Sequence, residues 1–248
     1  FIVTSLCEMK EPEKIGIYSN SMNKLDVLHF NSDSLLYVKT LHFPLWNKQR
    51  GIPKAYTRLI QYNDSLFIGT SFMPKEISVE LMNLKTEKVV NSVNFPLKPK
   101  EGEYSRPYEC KIATEMNFIV AAYRYINRLE IYKLSDQKFQ LNTIIGDANN
   151  QYDLYRLNKD NEMILHYSDI VCGKNQIYAL YRGVKEKELS SANSKIEVYS
   201  YDGTHLRTFD LGRSIEKILV DESSMRIYAF DRNEEKDIVF CYAIESNT

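Results

Sequence analysis

Hydrophobic and polar residues alternate in short runs along most of this chain, and a period of two is the pattern of β-strands. The clearest example is residues 176–211, which read QIYALYRGVKEKELSSANSKIEVYSYDGTHLRTFDL. Its runs QIYALYRG, KIEVYSY and HLRTFDL predict three strands. The pair Asp202-Gly203 separates the last two runs and predicts a type I′ hairpin turn, in which both central residues take positive φ. With HYSDIVCG (residues 166–173) in front, the stretch predicts a four-stranded antiparallel meander.

The same unit recurs along the chain, and such a repeat decides the fold class. Its second strand begins every 50 to 60 residues or so: KIGIYSN at Lys14, LFIGTSF at Leu66, FIVAAYR at Phe118, IYALYRG at Ile177 and IYAFDRN at Ile227. A third strand follows each copy, and a polar turn and a fourth strand then follow in every unit but the last. Units of four short antiparallel strands predict an all-β fold, a β-propeller of four-stranded blades.

We predict a single propeller domain over residues 1–248. Its five readable blades lie at approximately 1–45, 55–97, 106–146, 164–211 and 214–246. The first strands of the later blades share a register that aligns three tyrosines, Tyr56, Tyr108 and Tyr167, with Ile215.

Three segments interrupt the repeat. Residues 96–107 are rich in proline and charge and predict a crossing loop between blades. Residues 146–163 predict an insertion with one short strand or turn, and residues 184–194 predict a polar hairpin extension of the fourth blade. Long loops on a rigid scaffold often carry binding residues, and they are also where insertions are tolerated.

The N-terminal run FIVTSLC has two interpretations. It is either the first strand of the first blade, or the tail of a signal peptide that ends at a lipid-modified Cys7. A bulky Leu6 stands where such cleavage sites have a small residue, so we favour the strand.

The fifth unit stops at Ser246, where its fourth strand should begin. An apolar strand with an open edge is an aggregation hazard that native proteins cover or charge. We therefore predict that residues before Lys14, or residues upstream of Phe1, pair with residues 237–244 and close the ring.

Composition excludes several classes of protein. The 32 basic and 33 acidic residues give a net charge of −1, which gives no support for nucleic-acid binding. No apolar run approaches the length of a transmembrane span. The four cysteines form no CxxC pair, so we interpret them as small buried hydrophobic residues rather than as metal ligands.

Parts of the chain resemble the TolB-like six-bladed propeller family. The most specific are the IYALYRG strand, the YDG hairpin at residues 201–203 and the ILVDE and IYAF runs within residues 218–230. The resemblance is best over residues 56–244. It implies six blades, of which five can be read here. It also implies an exported bacterial protein of the cell envelope, either periplasmic or held at the outer membrane by a lipid anchor upstream. The family carries no agreed catalytic motif, so the resemblance implies no site residues.

Some propellers hold a metal in the central channel, with one carboxylate or amide from each of several blades. Glu109, Asp169 and Glu216 lie on innermost strands and are the candidates here. However, the register places Asp169 level with Cys110 and Lys217, and with Arg58 of the second blade. Mixed signs at one level favour a polar channel with internal pairing. We therefore predict no metal and no other cofactor.

Five side chains are candidates for ligand recognition on one face of the propeller: Arg58, Arg106, Tyr108, His166 and Tyr167. The four histidines lie on different predicted strands with no shared spacing, and we favour a structural role for His166. The aligned tyrosines either form an aromatic rim that stacks on a sugar or peptide, or pack between blades with their hydroxyl groups satisfied. We favour the packing.

These observations favour a non-catalytic binding or scaffold propeller of the bacterial cell envelope, whose ligand is an unidentified protein or glycan. The alternative is a hydrolase of the lactonase type with a metal in the central channel. A third interpretation is a subunit of a larger envelope assembly. The absence of a phosphate loop and of GxSxG, HExxH and EF-hand motifs favours the first.

Overall fold

The structure of the chain is a computed structural model. It describes residues 3–19, 22–43, 46–47, 52–53, 56–73, 76–95, 109–115, 117–147, 149, 151–233 and 236–244. The chain divides into two compact units. Unit 1 consists of Phe1–Phe95 and Ser135–Phe139, and unit 2 of Pro96–Leu134 and Gln140–Thr248. The single domain over residues 1–248 stays a prediction.

Unit 1 contains two four-stranded blades. The strands of the first are β1 (Val3–Glu8), β2 (Lys14–Ser19), β3 (Lys24–Asn31) and β4 (Ser34–His42). Two short strands follow, β5 (Trp46–Asn47) and β6 (Ile52–Pro53). The strands of the second blade are β7 (Tyr56–Gln61), β8 (Leu66–Met73), β9 (Glu76–Asn83) and β10 (Lys88–Phe95). Each blade is an antiparallel meander, and the two join into one sheet of order β10-β9-β8-β7-β1-β2-β3-β4.

The described residues of FIVTSLC belong to β1. One edge of β1 pairs antiparallel with β2, and the other pairs parallel with β7, with Cys7 opposite Leu59. The prediction of a first strand in the first blade is confirmed. The prediction that residues before Lys14, or residues upstream of Phe1, pair with residues 237–244 involves both units and stays a prediction.

Unit 2 contains three blades. The strands of the first are β11 (Cys110–Glu115), β12 (Phe118–Tyr123), β13 (Arg128–Ser135) and β14 (Lys138–Gly146). The next has β15 (Ile164–Cys172), β16 (Gln176–Lys185), β17 (Lys195–Ser200) and β18 (His205–Asp210). The last has β19 (Lys217–Asp221), β20 (Arg226–Asn233) and β21 (Lys236–Ala243), in that spatial order. The four-stranded meander predicted around residues 176–211 is confirmed.

Aromatic and β-branched side chains fill the interiors. In unit 1 the rings of Tyr18 and Phe67 each meet Phe43 edge to face, with ring centroids 5.7 Å apart. In unit 2 one cluster joins the β11–β13 sheet to the β15–β17 sheet, and another joins the latter to the β19–β21 sheet. Such buried apolar contacts between consecutive sheets are the main favourable contribution to folding.

Two local predictions need correction. The hairpin at Asp202-Gly203 is present, but only Gly203 has positive φ, at 93°. The amide of Gly203 donates to the carbonyl of Ser200, so the turn is centred on residues 201–202 and Gly203 follows it. A turn of this kind followed by a left-handed residue is the other common hairpin connection, and it needs only one glycine.

The described residues of the insertion at 146–163 include a helix that was not expected. They form α1 (Tyr152–Arg156) and a 3₁₀ turn at Asp160–Glu162, so of the expected strand or turn the turn is present. Asp153 in the first turn and Arg156 in the last complement the helix dipole. The side chain of Gln151 anchors the start of α1, because it donates to the carbonyl of Tyr125 and accepts from the amide of Ile164.

The cysteines follow the prediction in part. All four lie on described strands and no disulfide joins them. Cys7 is buried, Cys110 and Cys172 are half-buried, and Cys241 on β21 is exposed. The interpretation as small buried residues therefore fits Cys7 best and is wrong for Cys241, which lies on the outermost described strand of its sheet.

Candidate functional site

A cavity of about 270 Å³ lies in unit 2, where the first strands of its three blades contribute to the lining. These strands supply Lys111 of β11, Leu165, Ser168 and Asp169 of β15, and Lys217 of β19. The second strands supply Arg182 of β16 and Asp231 of β20, and Arg124 directly follows β12. The segment after β16 and the connection before β19 supply Leu189, Ser190, Ser214 and Glu216.

Irregular pairing of β15 explains why two sequence neighbours face the same cavity. The register between β15 and β16 shifts on each side of Tyr167, between Leu165 and Tyr167 and between Tyr167 and Asp169. In a regular strand, Ser168 and Asp169 would point to opposite faces. A bulge breaks that alternation, and bulges are common next to functional sites because they redirect side chains.

Seven of the lining residues carry charge: the basic Lys111, Arg124, Arg182 and Lys217, and the acidic Asp169, Glu216 and Asp231. In the described part of the chain, only Arg124 among them forms an ion pair, at 3.9 Å from Glu186, which does not line the cavity. The mixed signs agree with the expected polar lining. No ion pair joins two of these groups among the described residues, and the expected internal pairing, which also involved Arg58, stays a prediction.

Arg182 forms the buried wall of the cavity and is 8% exposed. Its guanidinium group donates to the carbonyl oxygens of Ile215 and Leu189 and, at 2.8 Å, to the hydroxyl of Ser214. These bonds tie the segment after β16 to the connection before β19. The Nε atom of Arg182 is buried and has no hydrogen-bond partner among the described residues. A buried donor without a partner is rare in proteins and is a candidate contact for a ligand.

Asp169 of β15 is a half-buried acidic residue of the lining. One carboxylate oxygen accepts a hydrogen bond of 3.0 Å from the amide of Ile218. Burial raises the pKa of Asp169, and this amide and the positive charges of Lys111 and Lys217 offset only part of that rise. Ionisable groups with perturbed pKa values inside a cavity are characteristic of binding and catalytic sites.

Comparison with known proteins decides the family. The family described as TolB-like 6-blade propeller-like matches residues 7–223. The chain belongs to this family. The predicted all-β propeller of four-stranded antiparallel blades is thereby confirmed together with the sheets above. No curated protein matches the sequence.

Solved structures similar to this TolB-like chain are propellers as well. A candidate 6-phosphogluconolactonase from Bacteroides uniformis is 15% identical, with a TM-score of 0.52 over 98% of this chain and 67% of its own. Raptor from Chaetomium thermophilum is 7% identical, with a TM-score of 0.53 over 98% of this chain and 19% of its own. The WD40 domain of Toxoplasma gondii coronin is 10% identical, with a TM-score of 0.47 over 88% of this chain. The chain spans half the length of that coronin structure. At these identities the likeness shows the fold alone.

His166 of the TolB-like chain lies next to the cavity but does not line it. Burial lowers the pKa of His166, and the negative charge of Asp147 only partly offsets this. Its Nδ1 atom is buried and has no hydrogen-bond partner among the described residues. The ring lies 6.0 Å from that of Tyr181. His166 therefore stays a candidate for ligand recognition.

The tyrosines of the first strands pack in the interior. Tyr56 is fully buried and donates to Glu80 at 2.9 Å, and Tyr167 is 2% exposed and donates to Glu197 at 3.3 Å. For these two residues the packing interpretation is confirmed, and neither offers a ring face to a rim. The side chain of Arg58 and all of Arg106 and Tyr108 lie outside the described residues. Recognition by these three stays a prediction.

The sequence contained an unused signal for two of the lining arginines. Arg124 and Arg182 are the last residues of the matching runs FIVAAYR and IYALYR, so they occupy the same position in consecutive blades. Both of them line the cavity. Ser214 and residues 189–190 could not be found in this way, because they lie in loops that do not recur from blade to blade and so cannot be aligned with one another.

The acidic residues weighed for a channel metal do not converge. The described residues contain no group of three or more His, Cys, Asp or Glu side chains arranged to hold a metal ion. Asp169 and Glu216 line the cavity, whereas Glu109 does not. Among the described helices, none is long and apolar enough to cross a membrane.

Proposed function

We propose that this chain is a non-catalytic binding module of the bacterial cell envelope, and that it binds a small polar ligand in the cavity of unit 2. One observation carries the proposal: charged groups of both signs line a cavity of about 270 Å³ without pairing with one another. Arg182 is the buried charge among them, and burying a charge is costly, so proteins retain such groups mainly where function requires them. The envelope location is supported by membership of the TolB-like family.

A hydrolase of the lactonase type is the second candidate function. The candidate 6-phosphogluconolactonase of Bacteroides uniformis shares its fold with 98% of the present chain. Both functions place a small polar molecule in a propeller cavity, and they differ in whether that molecule is converted. A single set of experiments therefore distinguishes them.

The binding test is a thermal-shift screen of the purified chain against small charged and polar metabolites, with three proteins in parallel. These are the parent chain, the cavity variant Lys217→Ala and the control Lys195→Ala, whose side chain is exposed on β17. A ligand that binds only the folded state stabilises it by mass action and so raises the Tm. At a ligand concentration of a hundred times the Kd, the free energy of unfolding rises by about 2.7 kcal/mol. We expect at least one compound to stabilise the parent and the control by the same amount and Lys217→Ala by less.

The catalytic test measures hydrolysis of δ-gluconolactone and of 6-phosphogluconolactone in the same buffers, with and without added calcium. We expect the rate to equal that of the uncatalysed reaction. Turnover above that rate, lost in Lys217→Ala and kept in Lys195→Ala, would establish the hydrolase instead. A screen in which no compound distinguishes these two variants would contradict the proposed cavity.

A further inference from the structure

The charges of the cavity are arranged in two neighbourhoods, each of which mixes signs. Asp169 lies in the field of Lys111 and Lys217. Arg182 lies in the field of Asp231 and Glu216. In neither neighbourhood do the described lining groups form an ion pair with one another. Opposite charges thus line the same cavity without forming ion pairs with one another among the described residues.

This arrangement selects for the charge of a ligand. A ligand with one negative group would leave the carboxylates uncompensated, and a ligand with one positive group would leave the guanidinium and ammonium groups uncompensated. Partly buried charges that lose water without gaining a partner weaken binding. A ligand that carries both charges compensates both kinds of lining group at once.

The neighbourhood of Arg182 suits a ligand whose two charges are close together. The Nε atom of Arg182 is a buried donor without a partner among the described residues, and a carboxylate forms a strong charge-assisted hydrogen bond with a guanidinium group. Asp231 lines the same cavity and acts on Arg182 as an opposing charge. An ammonium group beside the ligand's carboxylate would therefore meet an acidic partner close to Arg182.

The volume limits the size of the ligand. A cavity of about 270 Å³ holds about nine water molecules at roughly 30 Å³ each. It lies just below the usual range for small-molecule sites, which begins at about 300 Å³. The hydroxyl groups of Ser168, Ser190 and Ser214 add neutral polar contacts to the lining.

We propose that the cavity binds a small zwitterion with a carboxylate and an ammonium group on one carbon, as in a free α-amino acid. Arg182 holds the carboxylate through Nε, and Asp231 holds the ammonium group. This inference rests on the proposed binding function and narrows its ligand class.

The experiment is isothermal titration of the purified chain with the twenty common L-α-amino acids, followed by two derivatives of the tightest one. The N-acetyl derivative lacks the positive charge, and the carboxamide derivative lacks the negative charge. We expect each derivative to bind at least about tenfold more weakly than the free amino acid, because each leaves a lining charge without its partner.

A pair of variants separates recognition from a general effect on structure. Asp231→Asn should weaken the free amino acid about tenfold and leave the affinity for the N-acetyl derivative unchanged, since that derivative has no ammonium group to lose. Lys195→Ala should change neither affinity. If Asp231→Asn does not fold, Glu216→Gln at the exposed edge of the cavity takes its place, with the same expectation at smaller amplitude.

Each other outcome has a definite meaning. If the N-acetyl derivative binds as tightly as the free amino acid, the cavity recognises an anion only and the inference is wrong. If no amino acid binds while another compound stabilises the parent chain but not Lys217→Ala, the inference is wrong and the proposed binding function stands. If nothing binds in either experiment, both are wrong.

Discussion

Asp169 is the residue at which the stability cost of the candidate cavity can be measured most directly. Burial is the main reason why its pKa lies above the usual value near 3.8, and the fold therefore disfavours its ionised form. An asparagine of the same shape keeps an oxygen that can accept from the amide of Ile218 but carries no charge. Residues of functional sites commonly reduce stability in this way.

We therefore predict that Asp169→Asn stabilises the chain at pH 7. The folded pKa is raised, so the parent loses stability as pH rises from about 3.8 through the raised value, and the asparagine variant does not. The gain in Tm at pH 7 should be small, on the order of 2 °C. It should disappear below the usual pKa, where the aspartic acid is neutral in both the folded and the unfolded state.

Thermal unfolding at several pH values checks this prediction. Asp64→Asn serves as the control, because Asp64 is exposed in a turn and should give no shift at any pH. A Tm at pH 7 that is equal to or lower than that of the parent would show that the field of Lys111 and Lys217 outweighs the burial of Asp169.

Single residues also show what the sequence could and could not predict about the site. The mixed signs around Asp169 follow from register, which the repeat reveals. The lack of pairing does not, because a distance of a few ångströms between side chains depends on the β15 bulges and on packing between blades. The orientation of the Arg182 guanidinium group, which leaves Nε without a partner among the described residues, likewise depends on hydrogen bonds to Leu189 and Ala192. These residues lie in a segment that is not part of the repeat.

Within the blades, a glutamate recurs on the third strand and is easily misinterpreted from sequence. Glu80, Glu130 and Glu197 each stand between two apolar residues, which in a half-exposed strand predicts a side chain in water. Glu80 and Glu130 are instead 4% and 2% exposed. Each of the three accepts a hydrogen bond from a tyrosine hydroxyl, namely those of Tyr56, Tyr132 and Tyr199. The sequence shows the alternation but not that both faces of the sheet are covered.

The bond between Tyr56 and Glu80 should contribute measurably to stability. Tyr56→Phe removes the hydroxyl that donates to the buried carboxylate at 2.9 Å and leaves the ring in place. We expect a loss of about 1.5–3 kcal/mol in the free energy of unfolding, the range for hydrogen bonds to charged groups. Urea denaturation monitored by circular dichroism measures it.

Tyr37→Phe provides the matched control for this loss. Tyr37 is 64% exposed, and its hydroxyl lies 3.0 Å from that of Thr40 at the surface. Its removal should change stability by less than about 0.5 kcal/mol. Equal effects of the two substitutions would mean that the buried carboxylate finds another donor and that the Tyr56 bond is not specific.

Over the chain as a whole, the repeat predicted four-stranded antiparallel meanders, because such meanders depend on local contacts. Four blades have the four strands expected, and the fifth has β19, β20 and β21. The pairing of β1 with β7 could not be predicted, since an inner strand can pair with more than one neighbour at long sequence separation. The TolB-like family is six-bladed by description, and five blades are readable in this chain.

The fifth blade presents apolar residues on both faces of its sheet. Ile218, Ile227 and Ala229 face the neighbouring sheet and are buried. On the other face Phe230 and Val239 are paired across β20 and β21 and are 38% and 51% exposed. In the described part of the chain, β21 also has no partner on its second edge. An exposed apolar face beside an open strand edge favours association with other chains.

We therefore predict that this chain of 248 residues self-associates as its concentration rises, and that Val239→Lys suppresses the association. A lysine at this position places a charge beside Phe230 and next to the open edge of β21, which is how natural edge strands avoid pairing. Sedimentation velocity over a wide concentration range measures the effect. Leu141→Lys is the control, since Leu141 is 50% exposed on β14 and should leave association unchanged. If both substitutions suppress association equally, added charge alone is responsible and the face formed by Phe230 and Val239 is not the contact.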